Sequence, residues 1–234
     1  MFIDFEGIDG SGKGTLIGML KDRLEGLGRV VVLGKEPGGT PLGELVRSIL
    51  FHSIKTQNMA PSVCDCLFLA DHIQHVETLV KPALAAGSDV ISDRYAFSQF
   101  AYGTERVVHP MIEAAYRDLI GVVPDVIVLL VGTPEHLLAR AQGRTTETHQ
   151  EGKAWNHADV QARIQDAYLR LLMPYAQTVV VDTDVLPPEA LFENYIWPAV
   201  EKAGGGGMGV VGQRCDLSEF VAGVLPSPTA ARVM

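Results

Sequence analysis

The stretch FIDFEGIDGSGKGT (2–15) passes from a short apolar segment with strand character through a glycine-rich turn to Lys13, and helical spacing follows as far as residue 27. Gly7, Gly12 and Lys13 match G-x-x-x-x-G-K in the strand-then-helix setting that makes the pattern a phosphate cradle, or P-loop. Glycines let backbone N–H groups turn inward around an anion, and the amino end of the helix adds positive potential. Lys13 then brings a full charge to the β and γ oxygens, a residue for which a plain glycine turn would have no use. The residues expected to line the cradle are Gly7, Gly10, Ser11, Gly12, Lys13, Gly14 and Thr15.

Gly14 stands where a Ser or Thr usually offers its hydroxyl to magnesium. Thr15, one position on, has a hydroxyl that suits an α-phosphate. The metal is therefore expected to be held largely through water, with carboxylates behind it. Asp93, which closes the apolar run DVISD (89–93), is the foremost candidate, and the same residue also suits the N-cap of a helix beginning at RYAFSQF.

The runs FIDF (2–5), RVVVL (29–33), DVISD (89–93), DVIVLLV (125–131) and TVVVD (178–182) are rich in β-branched residues and read as buried parallel strands. Helical spacing fills 13–27, 40–52, 57–86, 95–102, 110–120, 134–143, 158–174 and 188–203. Such alternation predicts a three-layer αβα sandwich around a five-stranded parallel sheet, of the P-loop NTPase type. Ligands of these sheets bind beyond the carboxyl ends of the strands, where the loops after residues 5, 34, 92 and 131 should gather. GRTTETHQEGKAWNH (143–157) is polar and without apolar period, and a lid is expected over about 140–157. From Gly204 a glycine-rich linker leads to an appendage of unknown role, so the expected domain is 1–203 with 204–234 outside it.

Of the 234 residues 47% are hydrophobic and 20% charged, with a mean hydropathy of +0.16, a composition that excludes a wholly disordered chain. A formal net charge of -9 argues against general affinity for nucleic acid, so any anionic ligand must be met by local Lys and Arg. Cys64, Cys66 and Cys215 form neither a disulfide framework nor a zinc quartet, and no apolar run reaches membrane-spanning length. A cytoplasmic protein without a membrane partner is expected.

FEGIDGSGKGT (5–15), KEPGGTPLGELVR (35–47), LFLADHIQHV (67–76), DRYAFSQFAYG (93–103) and PDVIVLLVGTPEHLLARAQGR (124–144) together resemble the thymidylate kinases in order and spacing, over about residues 2–203. The resemblance implies transfer of the γ-phosphoryl group of ATP to dTMP, with Mg2+ as cofactor and a homodimer as the working form. It implies that Asp9 accepts a hydrogen bond from the 3′-hydroxyl of dTMP and approaches the metal. Glu36 and Pro37 would begin the loop over the acceptor, Arg47 would hold its phosphate, and Arg94 would lie between the donor and acceptor phosphates. Phe68 would stack on the pyrimidine, and Tyr102 would occupy the space of a 2′-hydroxyl. Because Gly10 is uncharged, a lid cation is expected to act on the transferring group, chosen from Arg140, Arg144 and Lys153, with Arg144 best placed.

Four residues depart from the family pattern. Lys35 replaces an arginine before EPGGT, Gly103 replaces the glutamine after AY, and Val131 replaces an acidic residue. His72 replaces the arginine that meets the O4 edge of thymine, leaving an imidazole with one donor and one acceptor when neutral. Gln99 is expected to help at the N3–O4 edge. A broader deoxynucleoside monophosphate kinase, or one that takes dUMP or a 5-substituted dUMP, stays open as the alternative, as does a helix-surface role for His72. A nucleotide-binding protein without catalysis is the reading from a different class.

Overall fold

The computed structural model describes residues 1–52, 59–103, 115, 122–143 and 157–205. Five strands form one parallel sheet in the order β2-β3-β1-β4-β5: β1 (Phe2–Glu6), β2 (Val31–Lys35), β3 (Asp89–Asp93), β4 (Val126–Val131) and β5 (Thr178–Asp182). The helices are α1 (Lys13–Gly26), α2 (Pro41–His52), α3 (Pro61–His75), α4 (Lys81–Ala85), α5 (Ala96–Gly103), α6 (Pro134–Gln142), α7 (Ala158–Leu172), α8 (Pro188–Leu191) and α9 (Trp197–Gly205).

The period of two in each central strand divides its side chains between two cores. Phe2, Val90, Ile127 and Leu129 pack with α5, α7 and Val76 and Val80 on one face. Ile3, Phe5, Ile91, Val128 and Leu130 pack with Leu16, Leu20 and Leu24 of α1 and with Ile196 and Val200 on the other. Helices on both faces give the three-layer sandwich expected from the alternation. The β1 and β4 side chains are almost wholly buried, whereas the edge strands β2 and β5 are partly open.

Two elements depart most from the sequence expectation. β2 begins at Val31 and runs to Lys35, two residues later than the apolar run, because its register pairs Val31 with Asp89 and Lys35 with Asp93. The single helix expected over 57–86 is α3 and α4 joined by the π-helical segment Val76–Val80, and a second such segment, Phe192–Ile196, joins α8 to α9. Apart from residue 115, the helix expected at 110–120 lies outside the described residues, as do 144–156 of the expected lid, with Arg144 and Lys153, and the tail beyond residue 205.

β1 has β3 on one side and β4 on the other, so the chain order reverses at β1. The carboxyl ends of β1, β3 and β4 meet there, which is the crevice where open α/β sheets bind ligands.

Candidate active site

Gly12 caps α1 at φ 92°, and no side chain caps that helix, which leaves its first backbone N–H groups facing out of the turn. Gly10 has a structural reason beyond its φ of +81°: a Cβ there would lie 1.9 Å from the carbonyl oxygen of Leu137, so the loop could not seat against α6. Lys13 is buried, and its Nζ donates to the carbonyls of Gly7 (2.9 Å) and Ile8 (3.3 Å). Burial, followed by nearby Arg94, lowers its pKa, while Asp93, Asp9 and Glu6 oppose the shift. Lysine charge is thus balanced by carboxylates from the ends of β1 and β3 and from the P-loop.

Arg94 follows β3 and is the single non-glycine residue with positive φ (75°) among the described residues. Its backbone N–H donates to Phe5 O (2.9 Å), and Ser92 Oγ donates to its carbonyl (2.6 Å). The guanidinium donates to Asp9 Oδ1 (2.7 Å), Tyr168 Oη (2.9 Å), Ser98 Oγ (3.2 Å) and Tyr102 Oη (3.2 Å). Burial works against its charge, but Tyr102, Tyr168, Asp9 and Asp93 outweigh burial and raise its pKa further. The fork is therefore charged and aimed before any ligand binds. A backbone held in a sparsely populated region at such a point marks a functional position.

Glu6, Ser98 and Tyr168 were not singled out from the sequence. Glu6 accepts from the backbone N–H of Tyr95 (3.0 Å), that of Ser98 (3.1 Å) and Ser98 Oγ (2.7 Å), which ties β1 to the start of α5 behind Arg94. Burial raises its pKa, and Arg94 opposes this. Tyr168 lies in an ordinary amphipathic segment of α7, where no local signal separates it from a core aromatic.

The loop expected to cover the acceptor, 36–38, is held from behind by α3. Both Asp71 oxygens accept from the backbone N–H of Gly38 (3.1 and 3.3 Å). His72 Nδ1 donates to the Glu36 carboxylate (3.1 and 3.0 Å), since a carboxylate only accepts, and its ring meets Tyr95 edge-on at 4.8 Å. His75 Nε2 lies 3.9 Å from Glu36, and burial lowers its pKa. His72 has 0% exposure. The structure thus turns Nδ1 of the expected base reader toward the loop and corrects the helix-surface alternative, because its neighbours are Glu36 and Tyr95.

Of the other expected acceptor residues, Arg47 meets this loop directly. Arg47 donates to Pro37 O (3.0 Å) and lies over the Phe51 ring, which meets Phe68 edge-on at 6.3 Å. Lys35 is partly buried, and burial followed by Arg47 lowers its pKa while Asp93 opposes the shift. Gln99 Nε2 donates to Asp65 Oδ1 (3.0 Å). Tyr102 packs against both Arg94 and Tyr168. Arg140 pairs with Asp184 and donates to Thr183 (3.4 Å) at the end of β5.

Among the described residues no group of three His, Cys, Asp or Glu side chains is set to ligate a metal directly. Asp93 Oδ1 is buried with no hydrogen-bond partner, beside the charges of Lys13 and Lys35. An unengaged carboxylate oxygen at the mouth of the P-loop fits a cation held through water.

A P-loop at the sheet's crevice, a preset arginine between two loops and a second, clamped loop facing them define an ATP-dependent phosphotransferase of the nucleoside monophosphate kinase type. A family model described as thymidylate kinase matches residues 5–194. The chain is 37% identical to the thymidylate kinase of Leifsonia xyli subsp. xyli, over 78% of this chain and 86% of that protein. It is 36% identical to that of Oleidesulfovibrio alaskensis (83% and 94%) and 35% identical to that of Trichlorobacter lovleyi (81% and 92%). The chain belongs to the thymidylate kinase family.

Proposed function

We propose that the protein transfers the γ-phosphoryl group of ATP to dTMP, giving dTDP and ADP for deoxynucleotide synthesis. The observation that carries this reading is the convergence of Lys13, Asp9 and Arg94 beside a loop, 36–38, that α3 holds in place. An oxygen of the dTMP phosphate attacks the γ-phosphorus while the bond to the β-phosphate oxygen breaks. Positioning and charge neutralisation supply most of the catalysis in such transfers.

In this reading Gly7, Gly10, Ser11, Gly12, Gly14 and Thr15 wrap the donor phosphates, and Lys13 neutralises the β and γ oxygens. Arg94 bridges donor and acceptor with a planar fork that lysine cannot reproduce. Asp9 orients Arg94 and meets the 3′-hydroxyl of dTMP. Arg47 and the Glu36–Pro37 loop receive the acceptor phosphate, Phe68 stacks on the base, Gln99 reads its edge and Tyr102 closes the 2′ side. His72 acts through Glu36. Arg140 flanks the nucleotide, and Arg144 of the lid approaches the transferring group and excludes water. Magnesium, when bound, neutralises donor-phosphate charge, and Asp93 with Asp9 would hold it through water.

A homodimer is supported by an apolar surface on α2 and α3, where Leu42, Leu45, Ile49 and Val63 are 40% exposed or more. A reducing compartment such as the cytoplasm suits Cys66, a free thiol among the described residues. Among the described residues no helix is long and apolar enough to cross a membrane.

The test is ADP release with dTMP, dUMP, dCMP, dGMP and dAMP as acceptors. dTMP should rank first, and a rank among the poor acceptors would overturn the reading. Lys13→Ala should abolish most turnover, whereas nucleotide binding without turnover in the unaltered protein would favour a binding module.

A further inference from the structure

We propose that Asp65 is a positioning residue that sets base specificity by locking the side-chain amide of Gln99. The inference rests on the reading of dTMP as acceptor and on Gln99 as a reader of its base. Asp65, Phe68 and His72 recur at helical spacing along α3, and Gln99 approaches that row from α5. Asp65 is 0% and Gln99 5% exposed, so water has little access to replace the bond between them.

The two ends of a glutamine amide have nearly the same shape and exchange by a half-turn. A carboxylate accepts hydrogen bonds and offers none, so only the Nε2 end can face Asp65 Oδ1, at 3.0 Å. One N–H is spent on Asp65. The Oε1 and the N–H beside it remain as a fixed acceptor and donor pair. Thymine and uracil present the matching pair, an N3–H donor next to the O4 acceptor. Cytosine presents the inverse, an N3 acceptor next to an N4 amine, and would need the amide turned over. Turning it would bring Oε1 against the Asp65 carboxylate, two acceptors in a buried place. Asp65 therefore selects for N3–H pyrimidines without touching the base.

Asp65→Asn tests this, because an asparagine both donates and accepts and so permits either orientation of Gln99. We expect the dTMP-to-dCMP ratio of kcat/KM to fall by at least about tenfold, within the range of one bidentate base contact. The dTMP-to-dUMP ratio should stay constant, since both bases carry N3–H, and this separates a lock on the amide from general damage. In a Gln99→Leu background the same substitution should leave the dTMP-to-dCMP ratio unmoved. An unchanged dTMP-to-dCMP ratio in Asp65→Asn, a proportional loss on all three acceptors, or a shift that persists without Gln99 would each overturn the proposal. A parent enzyme that already ranks dTMP among its poor acceptors would instead overturn the functional reading and this inference with it.

Discussion

At the scale of single residues the site is organised by Arg94. Four side-chain acceptors orient its guanidinium, and its own backbone is held at φ 75° by bonds to Phe5 and Ser92. Arginine can satisfy Asp9, Ser98, Tyr102 and Tyr168 at once because its donors are spread over a rigid plane. Lysine in that place keeps the charge and loses the spread. Arg94→Lys should therefore lower kcat by about 100-fold or more, the scale of losing an electrostatic contact made in the transition state. Single-turnover kinetics will check this, with ATP binding by the same variant expected to stay within a few fold of the parent.

At the scale of elements, α3 inverts the usual helix pattern: its buried residues are Asp65, Asp71, His72 and His75, while Val63 and Cys66 are exposed. The polar face is buried because it holds loop 36–38 and the Gln99 side of α5. α2 must also come close, since a Cβ on Gly43 would fall 2.4 Å from Asp71 Oδ1 and 2.7 Å from Gly38 O. Gly43→Ala should push the loop out of place and raise KM for dTMP by about tenfold, with KM for ATP little changed, as steady-state kinetics with each substrate varied will show.

The same clamp makes stability depend on pH. Burial, followed by Glu36, raises the Asp71 pKa from 3.8 to about 7. At pH values below about 4 the carboxyl is protonated in both folded and unfolded chains. Between about 4 and 7 the unfolded chain releases its proton while the folded one keeps it, so this residue's contribution to stability falls as pH rises through that window and is level above it. Asp71→Asn removes that share of the slope, a few kcal/mol at most by the conversion of about 1.4 kcal/mol per pKa unit. Urea unfolding at pH 4.5, 6 and 7.5 should show the variant gaining on the parent with each step. Buried Asp4 and Glu6, also raised, will keep part of the slope in both proteins.

For the whole molecule, the exposed leucines of α2 put a test on assembly. Leu45 is 63% exposed on α2, and if the proposed homodimer forms through this surface, replacing it by Asp should shift the sedimentation velocity from dimer to monomer. α9 already closes the second core with Val200. A chain ending at residue 205 keeps every residue named in the two described cores and should retain kcat/KM for dTMP within about twofold. A larger loss would give residues 206–234 a part in the kinase.

Much of this was legible in the order of residues. Five apolar runs predicted five parallel strands, because strands covered by helices on both faces are predominantly apolar, and GIDGSGKG predicted the cradle, because glycine permits the close turns around a phosphate. Motifs whose chemistry is local could be read locally. The partners of those motifs could not. That His72 grips Glu36, that Asp65 meets Gln99, and that Glu6 and Tyr168 stand behind Arg94 depends on separations of 36, 34, 92 and 74 positions along the chain for the bonds His72 to Glu36, Gln99 to Asp65, Ser98 to Glu6 and Arg94 to Tyr168. Such pairings leave no periodic mark in either segment. They arise when parallel strands and their crossover helices bring distant loops to one edge of the sheet, and a buried polar group must then bond to whatever that packing places beside it.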